Sequence, residues 1–371
     1  IIVGTFMQGG QSFPMNLSKE KIEKEKLVRP QEPIKPYPYY SEDITFENKK
    51  AGINLAGTLT LPNKEGVFPV VVLISGSGPQ NRDEELLGHK PFLVLSDFLT
   101  KNGIAVLRYD DRGIAMSKGD FKTATSADFA TDVESAIAYL KTRKEINKKK
   151  IGLIGHSEGG LIAPMVASNS KDVAFIVLLA GTGIQGDSLL LLQKKLIEEA
   201  SGVSKEDIQK GQSSNRKAFD IVNQSTSLEQ LNSDLTIYFK QILKDNPNTQ
   251  KPAEMSDDDF VKLQVKQIAS PWMQYFIKYN PAPALEKVKC PVLAINGEKD
   301  LQVPPKENLE AIKNALTKGG NKKVTTKELP NLNHLFQECE TGSPDEYAKI
   351  EQTFSPIALT EILNWIKTQT K

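Results

Sequence analysis

Apolar residues follow two rhythms that alternate along this chain from Asp43 onward. Short runs at 43–47, 53–61, 68–74, 104–109, 151–155, 174–179, 291–295 and 323–329 predict strands. The middle ones are almost continuously apolar, as parallel strands covered on both faces must be, whereas the first two read as an antiparallel pair. Between them, apolar positions recur every three or four residues over 91–101, 126–142, 161–168, 305–318 and 356–368, which predicts helices. Strand–helix alternation of this kind specifies a doubly wound α/β fold, a mostly parallel eight-stranded sheet with right-handed crossovers. One stretch breaks the alternation. Residues 187–279 hold only helical periodicity, at 187–200, 204–222, 228–244 and 256–268. An insertion that begins and ends at strand ends is expected to form an all-helical cap, leaving 41–186 and 280–371 as the α/β core.

The first forty residues follow neither rhythm. Residues 1–17 alternate around Gln8-Gly9-Gly10-Gln11, a β-hairpin with no sheet of its own to join, and read as the remnant of an N-terminal β domain. A mixed-charge run at 19–26 reads as a solvated helical turn. Pro30, Pro33, Pro36 and Pro38 then favour an extended, semi-rigid spacer, so 1–40 is taken as remnant plus linker. The chain starts at Ile1 rather than Met, which reads as a processed product whose targeting signal lies outside it.

Composition narrows the partners. Across 371 residues, 47 basic side chains face 46 acidic ones, a net charge of +1 that provides no basic excess for nucleic acid. The longest apolar runs, 67–74 and 174–180, fall far short of the ~20 residues that span a bilayer, so no membrane span is expected. Cys290 and Cys339 are too few for a disulfide framework, though one bridge between them is possible. Three histidines, His89, His156 and His334, restrict histidine chemistry to a short list.

Gly155-His156-Ser157-Glu158-Gly159-Gly160 stands between a predicted strand and a predicted helix, the context in which GxSxG forms a nucleophile elbow. The flanking glycines remove side chains that would clash in so sharp a turn, and Ser157 is thereby raised above the sheet edge. A serine hydroxyl needs a base within hydrogen-bond reach. His156 adjoins Ser157 and should point away from it, into packing or a backbone hydrogen bond. His89 lies upstream, in a loop bordering the pocket. Only His334, in a loop after the last predicted strand, satisfies the Ser…Asp…His order of this architecture. Asp300, in Asn296-Gly297-Glu298-Lys299-Asp300, is the candidate acid that orients His334, with Glu298 its nearest competitor. Oxyanion donors are expected from the Glu158 N–H and from the loop Ser75-Gly76-Ser77-Gly78-Pro79, with Ser77 ahead of Gly78. Gly181-Thr182-Gly183-Ile184-Gln185-Gly186 matches a dinucleotide-binding turn, but the second strand that such a unit needs is missing, so it reads as the hinge into the cap.

The segments 75–83 (SGSGPQNRD) and 108–117 (RYDDRGIAMS), the elbow, 296–300 (NGEKD) and Asn333-His334 resemble the α/β-hydrolase superfamily, and more closely bacterial serine esterases of a peptidase S9-like branch with a helical cap. The resemblance covers about residues 40–371. It implies carboxylester hydrolysis through an acyl-enzyme, with Ser157, Asp300 and His334 as triad, no cofactor and no metal, a small-molecule ester as partner, and export from the cell. Ser75 before Gly76 departs from the family's frequent His-Gly. Arg82, Asp83, Asp110, Asp111 and Arg112 read as a structural ion-pair cluster beside the site. Leu189, Leu192, Trp272 and Phe276 are candidates for an apolar substrate pocket. Two rival readings remain: a peptidase or aminoacyl-amide hydrolase on the same triad, and a non-catalytic binding protein on a hydrolase scaffold.

Overall fold

The computed structural model describes residues 2–8, 11–17, 29–246, 251–252 and 255–371. The expected helical turn at 19–26 lies outside them. β1 (Ile2–Gln8) and β2 (Gln11–Leu17) form the expected hairpin, in register from Ile2 opposite Leu17 to Gln8 opposite Gln11.

Eight strands form the sheet: β3 (Tyr40–Asn48), β4 (Ile53–Leu61), β5 (Phe68–Ile74), β6 (Ala105–Tyr109), β7 (Ile146–His156), β8 (Phe175–Leu179), β9 (Val292–Gly297) and β10 (Val324–Leu329). Their spatial order is β10-β9-β8-β7-β5-β6-β4-β3, parallel from β10 to β6 and antiparallel from β6 to β3. Val70, Val71, Val72, Leu153, Ile154, Val177 and Leu178 are sealed from solvent, as continuously apolar central strands require. The flanking helices are α1 (Pro91–Lys101), α2 (Ser126–Thr142), α3 (Glu158–Ala167), α10 (Pro305–Lys318) and α11 (Pro356–Gln369). α1, α10 and α11 each start with proline in the first turn, where a missing N–H costs nothing. At the start of α2, the Thr125 N–H and hydroxyl both donate to the Asp128 carboxylate.

Between β8 and β9 run α4 (Gly186–Ala200), α5 (Lys205–Gln224), α6 (Leu228–Asp245), α7 (Asp257–Ile268), α8 (Pro271–Lys278) and the single turn α9 (Ala282–Leu285). The first four match the expected helices. The Gly186 N–H donates to Tyr279 O at 3.1 Å, so the chain leaves and re-enters the α/β core at one point. A Cβ on Gly186 would lie 1.8 Å from Phe276 O, which shows how closely the two ends approach.

The division into units differs from the expected one. Ile1–Val28 with Ser225–Ala269 form one compact unit, and Arg29–Gln224 with Ser270–Lys371 form the other. In the first, α6 packs on α7, burying Leu231, Leu235, Val261 and Val265. In the second, α4, α5 and α8 pack on one another, so the segment 187–279, expected as the cap, is divided between the two units. The proline-rich stretch is likewise no free spacer. Arg29 donates to the carbonyls of Leu87, Gly88, Ala348 and Ile350, while the Gln31 carboxamide bonds Thr353 N–H, Phe354 N–H and Phe354 O, fastening this segment to the α/β core. Prolines set its extended shape, but these side chains decide where it lies.

Candidate active site

At the end of β7 the chain turns into α3 within a single residue. Ser157 holds φ +53° and ψ −113° as the residue immediately before the helix, a left-handed conformation that costs a non-glycine residue on the order of 1–3 kcal/mol. The neighbours make the turn sterically possible. A Cβ on Gly155 would stand 2.0 Å from Gly159 O, and one on Gly159 would stand 2.1 Å from Ile74 O, so neither position admits a side chain. Ser157 is half-buried, with the N-terminus of α3 and its partial positive charge beneath it.

His334 follows β10 in a buried loop, and its Nδ1–H donates to Asp300 Oδ2 at 2.8 Å. Asp300, in the loop after β9, is sealed from solvent, and its Oδ1 accepts the N–H groups of Gln302 and Val303, each at 2.8 Å. Three hydrogen bonds, two to Oδ1 and one to Oδ2, thus hold the carboxylate in this orientation. Glu298, the competing acid, is exposed and accepts the Asn331 N–H at 2.9 Å. His89 does not border the site: it is wholly buried, with its ring between Tyr347 O and the Thr353 hydroxyl.

His156 makes a backbone hydrogen bond as expected, and its acceptor matters. Nε2–H donates to His334 O at 3.0 Å, with the two rings 4.8 Å apart, which joins the residue preceding Ser157 to the candidate base. Its Nδ1 meets Glu84 Oε1 at 2.9 Å. Burial pulls the His156 pKa down, but the charge and hydrogen bond of Glu84, with the His334 carbonyl, more than reverse this and leave it above the ordinary value.

The loop after β5 is fastened on both sides. Gly76 N–H donates to Glu84 Oε1 at 2.7 Å; Ser75 Oγ and Gln80 N–H donate to the Asp111 carboxylate at 2.8 and 2.9 Å. Gly76 is thus committed elsewhere. The N–H groups of Ser77, Gly78 and Glu158 donate to no protein group among the described residues. Gly78 takes φ +94°, which only glycine adopts without strain.

Glu158 follows Ser157 and is buried, and its Oε1 accepts from Ser126 Oγ at 2.6 Å and Trp272 Nε1 at 2.8 Å. Burial raises its pKa, with those two donors opposing the shift. Trp272 stacks on Phe276 with ring centroids 5.0 Å apart, so the expected pocket residues on α8 stand against the elbow through a specific hydrogen bond as well as apolar area. Leu189 and Phe276 are buried in the core cluster, while Leu192 is half-buried.

Four of the five residues of the expected ion-pair cluster are in ion pairs, and Asp111 is the exception. Arg82 pairs with Asp110 and Asp43, Arg108 with Asp83, and Arg112 with Asp132. Asp111 has no cation partner among the described residues. Burial pushes its pKa up to about 8, against the lowering effect of its bonds to Gln80 and Ser75. Cys290 and Cys339 are free thiols, which removes the possible bridge. Among the described residues no group of three or more His, Cys, Asp or Glu is disposed to hold a metal ion. The glycines of 181–186 serve close packing: Gly183 N–H donates to Asn308 Oδ1, and a Cβ on Gly183 would lie 2.3 Å from Asn308 O.

Glu84, Ser126 and the Trp272–Glu158 bond escaped sequence reasoning. Glu84 and His156 are 72 positions apart with no motif joining them.

A family model described as X-Pro dipeptidyl-peptidase (S15 family) matches residues 51–328. Esterase EstD of Thermotoga maritima is 27% identical over 334 residues, covering 89% of this chain and 69% of that protein. Among solved structures, the alpha/beta hydrolase GrgF from Penicillium sp. sh18 aligns with a TM-score of 0.56 at 16% identity, over 89% of this chain and 99% of that one. The Pyrococcus furiosus esterase Pf2001 aligns with a TM-score of 0.54 at 16% identity, over 94% and 100%. At such identities the structural likenesses speak to the fold alone.

Proposed function

Starting from a chain that belongs to the X-Pro dipeptidyl-peptidase (S15) family and is a hydrolase of the α/β-hydrolase superfamily, we propose that it cleaves small or medium acyl esters by serine catalysis. One observation carries this reading: a buried His334–Asp300 pair, 2.8 Å apart, is tied through His156 to the strained turn that holds Ser157.

Chemistry follows from the roles those contacts support. Asp300 keeps the His334 proton on Nδ1, which leaves Nε2 free to accept the Ser157 proton as Oγ attacks the ester carbonyl. The N–H groups of Glu158 and Ser77, with Gly78 as the alternative to Ser77, receive the developing oxyanion. Protonated His334 then gives its proton to the departing alcohol. Water, deprotonated by His334, opens the acyl-enzyme and restores Ser157. Leu189, Leu192, Trp272 and Phe276 line the acyl side in this reading; the Trp272 N–H is spent on Glu158, so its ring offers apolar surface.

Turnover of short p-nitrophenyl acyl esters by wild type and Ser157→Ala is the direct test. The expected result is loss of turnover in the variant by a factor of ~10³ or more; equal rates remove Ser157 from the mechanism. The family's description favours a second reading, amide cleavage at the same serine. An aminoacyl p-nitroanilide assayed beside the ester separates the two, because amide hydrolysis demands protonation of a poorer leaving group.

A further inference from the structure

We propose that Glu84 and His156 form a positioning pair that holds the oxyanion loop and the His334 backbone in fixed relation to Ser157. The proposal rests on the triad reading above and adds two residues to it. Neither touches substrate in this scheme.

A carbonyl oxygen only accepts, so the contact between His156 Nε2 and His334 O requires hydrogen on Nε2. The Nδ1 contact with Glu84 Oε1 then holds one shared proton, whether the pair is written as imidazolium with carboxylate or as imidazole with carboxyl. Both ring nitrogens are bonded in either form, and the ring cannot flip without losing both contacts. Oε1 also accepts the Gly76 N–H at 2.7 Å. A single carboxylate oxygen therefore joins the loop that supplies Ser77 and Gly78 to the residue before the nucleophile, and His156 passes the restraint on to the base.

Packing shows that the convergence is tight. A Cβ on Gly76 would lie 3.2 Å from Ser157 Cβ, 3.4 Å from Glu84 Oε1 and 3.6 Å from His156 Nδ1. Glu84 and His156 are both buried, and Glu84 adopts φ +52°, a strained backbone that aims its side chain beneath the elbow. Phe336 closes the far side of the imidazole, edge-on at 6.4 Å. His334 is thus held at two points, its ring by Asp300 and its carbonyl by His156. Glu84 also balances charge. When His334 takes up the Ser157 proton, the His156–Glu84 pair beside it, rings 4.8 Å apart, carries one shared proton and no net charge in either form, so it sets no like charge against the new imidazolium.

Glu84→Leu removes the one oxygen that makes both contacts, at similar volume, and Glu84→Gln keeps a polar atom at that position, which serves either the Gly76 N–H or His156 Nδ1 but not both. Each is assayed on a short p-nitrophenyl ester, with kcat counted per serine labelled by a fluorophosphonate. Expected for Glu84→Leu is a fall in kcat of ten- to a hundred-fold with KM changed less than three-fold, because misplacement of about 1 Å costs that much while binding is untouched. Glu84→Gln, which retains one of the two contacts, should recover part of the loss. A merely structural role would lower the yield of folded protein and leave kcat per labelled serine unchanged. If Glu84→Leu does not fold, His156→Gln reads the same split, since it leaves the Glu84–Gly76 bond in place. A Glu84→Leu or His156→Gln protein with wild-type kcat per labelled serine, or a Glu84→Gln protein as slow as Glu84→Leu, overturns the proposal. Unimpaired turnover by Ser157→Ala sinks the triad reading instead, so the two failures are distinguishable.

Discussion

Asp300→Asn changes one atom of the buried acid, and the geometry dictates how the new amide must sit. Oδ1 accepts two backbone N–H groups and Oδ2 accepts one imidazole N–H. An NH₂ turned toward Gln302 and Val303 would set donor against donor twice and forfeit two hydrogen bonds, each contributing about 1 kcal/mol. Turned toward His334 it conflicts once, and a shift of the imidazole proton from Nδ1 to Nε2 removes even that conflict. The amide therefore points its NH₂ at His334 and selects the tautomer that cannot accept the Ser157 proton. Lost with the carboxylate is its stabilisation of the imidazolium. Together these should lower kcat/KM by about 10³–10⁴, or ~4–5.5 kcal/mol at 1.36 kcal/mol per decade. Stability should fall by only about 1–2 kcal/mol, because most of the hydrogen bonds survive. Initial rates on a short p-nitrophenyl ester, alongside urea unfolding of both proteins, measure the two effects separately. A folded variant within tenfold of wild type, under conditions where Ser157→Ala is inactive, refutes the tautomer argument.

Two further outcomes follow from the buried carboxyls. Trp272→Phe deletes one of the two donors to Glu158 and should lower the unfolding free energy by roughly 1 kcal/mol, the scale of a single intramolecular hydrogen bond; no measurable loss in urea titrations would show that the bond contributes little. Asp111 has its pKa raised to about 8, so the folded state holds its proton more tightly than the unfolded chain does. The stability it contributes is fully present below the unfolded value near 4 and drains away as pH rises toward about 8. Asp111→Asn, which imitates the protonated acid, lacks that slope. Between pH 5 and 8, wild type should lose stability relative to the variant by up to about 1.4 kcal/mol per pH unit. Parallel curves for the two proteins would rule out an unusually basic Asp111.

Legibility in the sequence tracks how local the deciding forces are. β4, β5, α1, α2 and α10 end where 53–61, 68–74, 91–101, 126–142 and 305–318 are expected, because turn residues, a capping box or an initial proline mark those ends. β7 reaches back to Ile146 through Asn147-Lys148-Lys149-Lys150, a polar run with no strand signature that bulges between two residues paired with β5, Ile146 opposite Phe68 and Ile151 opposite Val70. α8 was invisible for the opposite reason: Pro271–Lys278 is rich in aromatic residues and too short for periodicity to register. Chain order sufficed to bring Asp300 and His334 together as a pair, since strand–helix alternation places both loops at the same end of a parallel sheet. The Glu84–His156 contact had no such rule behind it, and depends on a strained loop residue whose direction only tertiary packing decides. For Asp111 the surrounding charges suggested an ion pair, and the fold supplied a hydroxyl and an amide instead.

The order of the strands also has a temporal meaning. β7, with its serine, lies in the interior of the sheet between β5 and β8, whereas β9 and β10 add successively to one outer border and come from the last third of the chain. A ribosome emits the middle of this protein well before residues 300 and 334. On the proposed mechanism, the growing polypeptide carries Ser157 without the His334 imidazole until the final two strands dock, so a half-made copy would be inert. Competence arrives with completion of the border.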